Sequence, residues 1–229
     1  MSFDFSLIIE SVPRMFTGIG LTLQLLVLAS ILGTILAVII ALMRISNIPL
    51  LNWPAIVYIY IFRGTPMLVQ IFVIYYGLSQ FQTIRDSFLW IALREPFWCA
   101  IIAFSLNAGA YTAEILRGAI QGVDKGLIKA STALGLSKTQ SFVHITTPIA
   151  IRLALPAFGN ETISLLKSTA LASIITMFDI TGVARTIMAE TFAPYEVFIS
   201  AAIVYLFLAW FIQLGITIAE KRFNRYMQI

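Results

Sequence analysis

Between Met15 and Met43 the chain runs for 29 residues without a charged side chain, and Arg44 follows at once. As a helix rising 1.5 Å per residue this stretch is about 44 Å long, more than the roughly 30 Å hydrocarbon layer of a bilayer. A helix apolar on every side has no stable place at a water interface, so the stretch constrains the chain to a membrane. Composition agrees: 59% of residues are hydrophobic and 11% charged, against roughly 45–50% and about 25% in soluble domains. With 229 residues there is room for about five spans of roughly 20 residues each and for no sizeable soluble domain. The expected fold is an all-α integral membrane protein with about five transmembrane helices, forming a single domain over residues 1–229.

The first span is Met15 to Met43. A second apolar region, about Pro54 to Leu78, is interrupted by Arg63-Gly64-Thr65-Pro66, where the proline is expected to kink the helix and free backbone groups. A third span starts near Pro96 and runs through Asn107 to about Leu116. A fourth runs from about Leu153 to Phe178, and a fifth, Val197 to Ala219, ends at Glu220-Lys221-Arg222. The amino terminus carries Asp4 and Glu10 before Arg14 and lacks the small-residue cleavage pattern of a removable signal peptide. Gly18, Gly20, Gly33, Ala37 and Ala41 read as close helix packing, and Trp53, Tyr58, Trp90, Trp98, Tyr195 and Trp210 as interfacial anchors.

Five spans place the termini on opposite sides, and basic residues decide which. With the amino terminus outside, the cytoplasmic side collects nine of them: Arg44, Arg117, Lys125, Lys129, Lys138, Arg152, Lys221, Arg222 and Arg225. The outside keeps Arg14, Arg85, Arg94 and Arg185. The expected topology is multi-pass, with the amino terminus outside and the carboxyl terminus cytoplasmic. The net charge of +4 therefore records topology, and no nucleic-acid partner is expected.

Within the cytoplasmic loop, about residues 118–152, lies the longest polar interval, Val123 to Pro148. It carries two helix signals back to back. Asp124 can cap a helix over Lys125 to Leu134, with Gly135 at the left-handed position that ends it. Ser137 and Gln140 then form a capping box for a second short helix, which Pro148 should end. Along the first helix Leu127, Ile128 and Leu134, with the small residues Ala130, Ser131 and Ala133, make a compact, nearly uncharged patch flanked by Lys125 and Lys129. Such a patch suits docking.

Charges within the spans are the functional suspects, because a charge at mid-bilayer costs at least roughly 2.5–3.5 kcal/mol on insertion scales. In the fourth span, Asn160, Ser164 and Lys167 fall in one stripe of the helix, bordered by Glu161 and Ser168. Two readings fit. Either Glu161 and Lys167 line a substrate path together with Thr65 and Asn107, or they neutralise partners on neighbouring helices. In the third span Asn107, Tyr111 and Glu114 form a similar stripe, with Glu114 placed to pair with Arg117 or Arg63.

Lys129-Ala130-Ser131, three residues, Gly135, nine residues, Ile145, one residue and Thr147-Pro148 resemble the coupling loop of ABC-importer permeases, whose pattern is E-A-A-x3-G-x9-I-x-L-P. Lys129, Ser131 and Thr147 depart from its Glu, Ala and Leu. Phe62 to Gln70, Tyr111 to Gly118, Gly159-Asn160-Glu161 and Leu166 to Ser173 are similar to signature stretches of the polar amino-acid branch, and most like permeases for histidine, arginine and opines. The resemblance implies a type I importer fold and a coupling helix, including Lys129, Ala130, Ser131, Gly135 and Leu136, that fits a cytosolic ATPase. It also implies two ATPase subunits that use the ATP, a paired permease core and an external solute-binding protein delivering an amino acid or opine. Lys129 in place of Glu favours a sister chain over a second copy as the pairing subunit.

No H-E-x-x-H, nucleophile elbow or P-loop is present. The chain is expected neither to hydrolyse ATP nor to bind a cofactor or metal, and Cys99 and His144, each the sole residue of its kind, read as structural. An ion-coupled secondary transporter or channel subunit for a small polar solute is the alternative, but such carriers commonly show internal repeats and more spans.

Overall fold

The computed structural model describes residues 4–223 and is helical throughout, with no strand among them. Arg225, counted above on the cytoplasmic side, lies outside the described residues.

Helix α1 (Phe5–Ile45) is capped by Asp4, whose carboxylate accepts the Ser6 N–H at 2.8 Å. It contacts α2 (Pro49–Gly64) and then, after a bend of 106°, the chain continues as α3 (Met67–Phe72). A π-helical turn, Val73–Gly77, and a 3-10 turn, Leu78–Gln80, complete that limb. Two one-turn pieces, α4 (Gln82–Arg85) and α5 (Trp90–Leu93), lead to α6 (Pro96–Gln121). The α7 (Lys125–Ala133) and α8 (Lys138–Ser141) pair follows, then a π-helical turn over Phe142–Thr146 and α9 (Thr147–Ser168). A 3-10 segment, Thr169–Ile175, precedes α10 (Ile180–Thr191) and α11 (Pro194–Phe223). Among the described residues four helical segments are long and apolar enough to cross a membrane, or five where the bent α2–α3 limb counts as one broken span.

Helix α1 is the hub, lying against α2, α6, α9, α10 and α11. Its small residues allow this. A Cβ at Gly33 would stand 3.1 Å from the Ala108 Cβ, and one at Gly18 would stand 2.6 Å from the backbone of Asp179 and Ile180. Ala37 and Ala41 are buried beside Ala55, Ile59 and Ala113, as expected of a close contact. Gly20 differs: its face is open, so it is not a packing position. The main core joins Leu25, Leu26 and Ala29 of α1 to Cys99–Phe104 of α6 and Leu165–Leu166 of α9.

Two departures from the sequence reading have clear causes. Pro148 does not end the second short helix. It sits in the first turn of α9, where a missing N–H costs no intrahelical bond, and the preceding π-turn carries the helix through. Helix α10 falls between the fourth and fifth expected spans, where no element was assigned, and forms because the wholly buried Asp179 caps it by accepting from the N–H groups of Thr181 and Gly182.

Candidate functional site

The α2–α3 break creates the site. Residue 66 is a proline, so the carbonyl of Phe62 loses the N–H that would meet it one turn on. Two side-chain amides replace that donor: Gln70 Nε2 at 2.9 Å and Asn107 Nδ2 at 3.0 Å. Gln70 also donates to the carbonyl and hydroxyl of Thr65, and its own oxygen accepts from Asn107. The Tyr111 hydroxyl reaches the Arg63 carbonyl at 3.4 Å. Unwound backbone inside a bilayer is tolerated where its polar groups find such partners, typically beside a polar cavity.

A cavity of about 410 Å³ lies at this break, lined by Arg63, Thr65, Asn107, Glu161, Ser164 and Ser168, with Pro66, Met67 and Tyr111. Five of the seven suspected path residues are thus brought together: Thr65, Asn107, Glu161, Ser164 and Ser168. Both N–H bonds of Asn107 serve the break, which leaves its amide oxygen available to a ligand. Glu161 is half-buried and makes no hydrogen bond or ion pair within the described residues. It sits on the α9 turn that follows Gly159, where α11 approaches so closely that a Cβ would stand 2.5 Å from Ile216 Cγ2. Asn160 and Lys167 are not in the lining. They are exposed on the neighbouring face of α9, with no partner among the described residues.

Arg63 is the cation of the cavity, and the charge analysis of the sequence did not assign it there. It was legible as part of the helix break and as a candidate partner of Glu114, which it approaches to 4.0 Å. Gln70 was missed, since its signal is a polar residue four positions after a proline in an apolar run. Glu114 does not line this cavity. Arg117 holds it with bonds of 2.8 to 3.0 Å, and Arg44 and Arg63 stand further off.

The α7–α8 pair forms as the residues dictate. Asp124 accepts the Gly126 N–H at 2.8 Å. Gly135 adopts φ +83°, and the bonds Gly135 N–H to Thr132 O and Leu136 N–H to Ser131 O close a Schellman motif. Ser137 and Gln140 exchange the reciprocal bonds of a capping box. Ser131, which departs from the small apolar residue of the resembling pattern, is buried with its hydroxyl 2.6 Å from that of Ser141. The hydroxyl pair ties α7 to α8. Lys129, Ala130 and Gly135 are exposed, Leu136 is partly so, and Leu134 is 81% exposed at the tip. His144 is exposed and its Nδ1 faces the Gln140 carbonyl at 3.0 Å; Cys99 is buried against the Leu93 carbonyl.

Residues 30–225 match the family described as binding-protein-dependent transport system inner membrane component. The nopaline transport system permease protein of Agrobacterium fabrum is 45% identical over 98% of this chain and 94% of its own length. The histidine/lysine/arginine/ornithine transport system permease protein of Escherichia coli is 39% identical over 93% of this chain and 90% of its own. A solved amino acid ABC transporter with histidines superposes with a TM-score of 0.86 at 34% identity, covering 97% of this chain and 100% of that one. The inward-facing MetNI methionine ABC transporter shares the fold, with a TM-score of 0.71 at 17% identity over 97% of this chain and 99% of that one. The cavity and the α7–α8 pair therefore belong to a multi-pass inner-membrane permease subunit of an ABC importer, and the chain is a member of the binding-protein-dependent transport system family.

Proposed function

We propose that this permease carries a basic amino acid or opine inward, and that Glu161 receives its cationic group in the cavity at the α2–α3 break. The observation that carries the reading is Glu161 on that wall with no hydrogen bond or ion pair among the described residues, beside the amide oxygen of Asn107 and three hydroxyl-bearing residues, Thr65, Ser164 and Ser168. An intramembrane carboxylate is costly to hold unpaired, so a cationic ligand stabilises it. Arg63, on the same lining, adds positive potential that favours a ligand bearing a carboxylate without being its dedicated partner. Relatives named for nopaline and for histidine, lysine, arginine and ornithine support a substrate with both charges.

The amino terminus lies outside and the α7–α8 pair in the cytoplasm, as the distribution of basic residues favours. There the exposed Leu134, Ala130 and Lys129 dock on an ATPase, two copies of which serve the complex and hydrolyse the ATP. The exposed α9 face bearing Asn160 and Lys167 turns towards a second permease subunit, a sister chain, and an external solute-binding protein delivers the substrate. Cys99, the sole cysteine, is wholly buried, which makes a thiol test clean. In the assembled complex, Ser164→Cys should react with a small aqueous thiol reagent, and saturating arginine or nopaline should slow that reaction. Labelling that no cationic amino acid or opine slows would remove the cavity from the path.

A further inference from the structure

A second cavity, of about 400 Å³, lies between α1, α2 and α6 on the α7 side of the break. Arg44, Arg63, Tyr60, Ile56 and Ile59 line it, with Glu114 behind. Three guanidinium groups share that one carboxylate, but unequally. Arg117 saturates it with three hydrogen bonds of 2.8 to 3.0 Å. Arg44 Nε, at 3.9 Å, and Arg63 Nη1, at 4.0 Å, stand beyond hydrogen-bond distance. Arg44 spends one N–H on Asn52 at 3.0 Å, and Arg63 lies 5.1 Å above the ring of Tyr111. Glu114 cannot saturate all three, and since Arg63 also faces Glu161 across the substrate cavity, Arg44 is the guanidinium left least compensated.

Geometry and surroundings select the counter-charge. Arg44 stands in the last turn of α1, and Glu114 about 10 Å from the end of α6 at 1.5 Å per residue. Both are at the margin of the bilayer, where lipid phosphates lie. The cavity opens on the outer face of α2, on which Tyr60 is 80%, Trp53 66% and Val57 46% exposed. Apolar and aromatic side chains there are suited to acyl chains and the interface, while a guanidinium pair matches phosphate oxygens by paired N–H bonds. Basic pockets between membrane helices take anionic headgroups for this reason.

We infer that Arg44 and Arg63 bind the phosphate of an anionic glycerophospholipid from the leaflet at the α7 end, with its acyl chains along the outer face of α2. The site is separate from the substrate cavity except at Arg63, Gly64 and Tyr111, which both share, so Arg44 is the residue to test. The complete complex, with its ATPases and second permease subunit, is reconstituted in phosphatidylcholine vesicles with and without phosphatidylglycerol. A photoreactive benzoylphenylalanine replaces Tyr60, and adducts are identified by mass spectrometry.

The expected result is a phosphatidylglycerol adduct that millimolar inorganic phosphate leaves unchanged and that Arg44→Gln lowers roughly tenfold, as loss of one charge-assisted contact does. Where Arg44→Gln does not assemble, the unsubstituted Arg44 complex still decides, because its capture must favour phosphatidylglycerol over phosphatidylcholine. Capture of the second permease chain at Tyr60, equal capture of both lipids, no effect of Arg44→Gln in an assembled complex, or suppression by inorganic phosphate would each overturn the lipid assignment.

Discussion

The chain leaves regular helix at two candidate sites and satisfies the freed backbone in opposite ways. At the α7–α8 junction every bond is local: Gly135 and Leu136 donate back to Thr132 and Ser131, and Ser137 exchanges bonds with Gln140 three residues on. At the α2–α3 break the partners come from Gln70, eight residues from Phe62, and from Asn107 on another helix. Water can complete an exposed junction, whereas a break within the bilayer needs tertiary donors. The junction can therefore tilt or dock as a unit without disturbing the bundle. The break cannot change without moving α6.

The largest effect should come from Gln70→Leu. It removes the four side-chain hydrogen bonds of Gln70, to Phe62, to the carbonyl and hydroxyl of the exposed Thr65, and from Asn107, at roughly 0.5–1.5 kcal/mol each. Yield and thermal stability of the complex should fall with transport. Adding Pro66→Ala restores a backbone donor to Phe62 and should recover part of the lost stability without recovering uptake; no recovery of stability would mean that the missing proline N–H is not what Gln70 compensates.

Gly135→Val should act in the opposite sense, costing function before fold. A Cβ there meets nothing within 4 Å, so the strain is purely conformational, from φ +83°, and amounts to roughly 1–3 kcal/mol. Yield should hold while substrate-stimulated ATP hydrolysis falls. Normal stimulation would show that the left-handed turn does not position the docking helix.

The contrast also explains what could be read from residues alone. The α7–α8 junction was legible down to its caps, because Asp124, Gly135, Ser137 and Gln140 act within three residues of themselves. The spans were legible because apolar length decides them. Pro148 misled, since a proline reads as a stop unless a π-turn upstream is foreseen. The place of Arg63 at the cavity and the role of Gln70 were hidden because they exist only once α2, α3 and α6 are assembled. The polar stripe of α9 named a helix that borders the cavity, and the bend of α2–α3 decided that Glu161 and Ser164 line it while Asn160 and Lys167 do not.

The smallest effect is expected within the junction itself. Ser131→Ala and Ser141→Ala each remove the same 2.6 Å hydroxyl contact, at about 1 kcal/mol. The double variant should cost little more than either single one in coupled ATP hydrolysis. Additive losses would mean that the two hydroxyls do not act as a pair.

The central claim is that Glu161 selects cationic substrate at the α2–α3 break, and relative uptake by Glu161→Gln in the intact complex measures it most directly. With yield and basal ATP hydrolysis preserved, uptake efficiency for a cationic amino acid should fall roughly ten- to a hundredfold, the equivalent of about 1.5–3 kcal/mol for a lost charge-assisted bond. Residual uptake of a neutral amino acid should change far less. Equal losses for both, or no loss for either, would contradict the account and leave Glu161 a structural residue of the bundle.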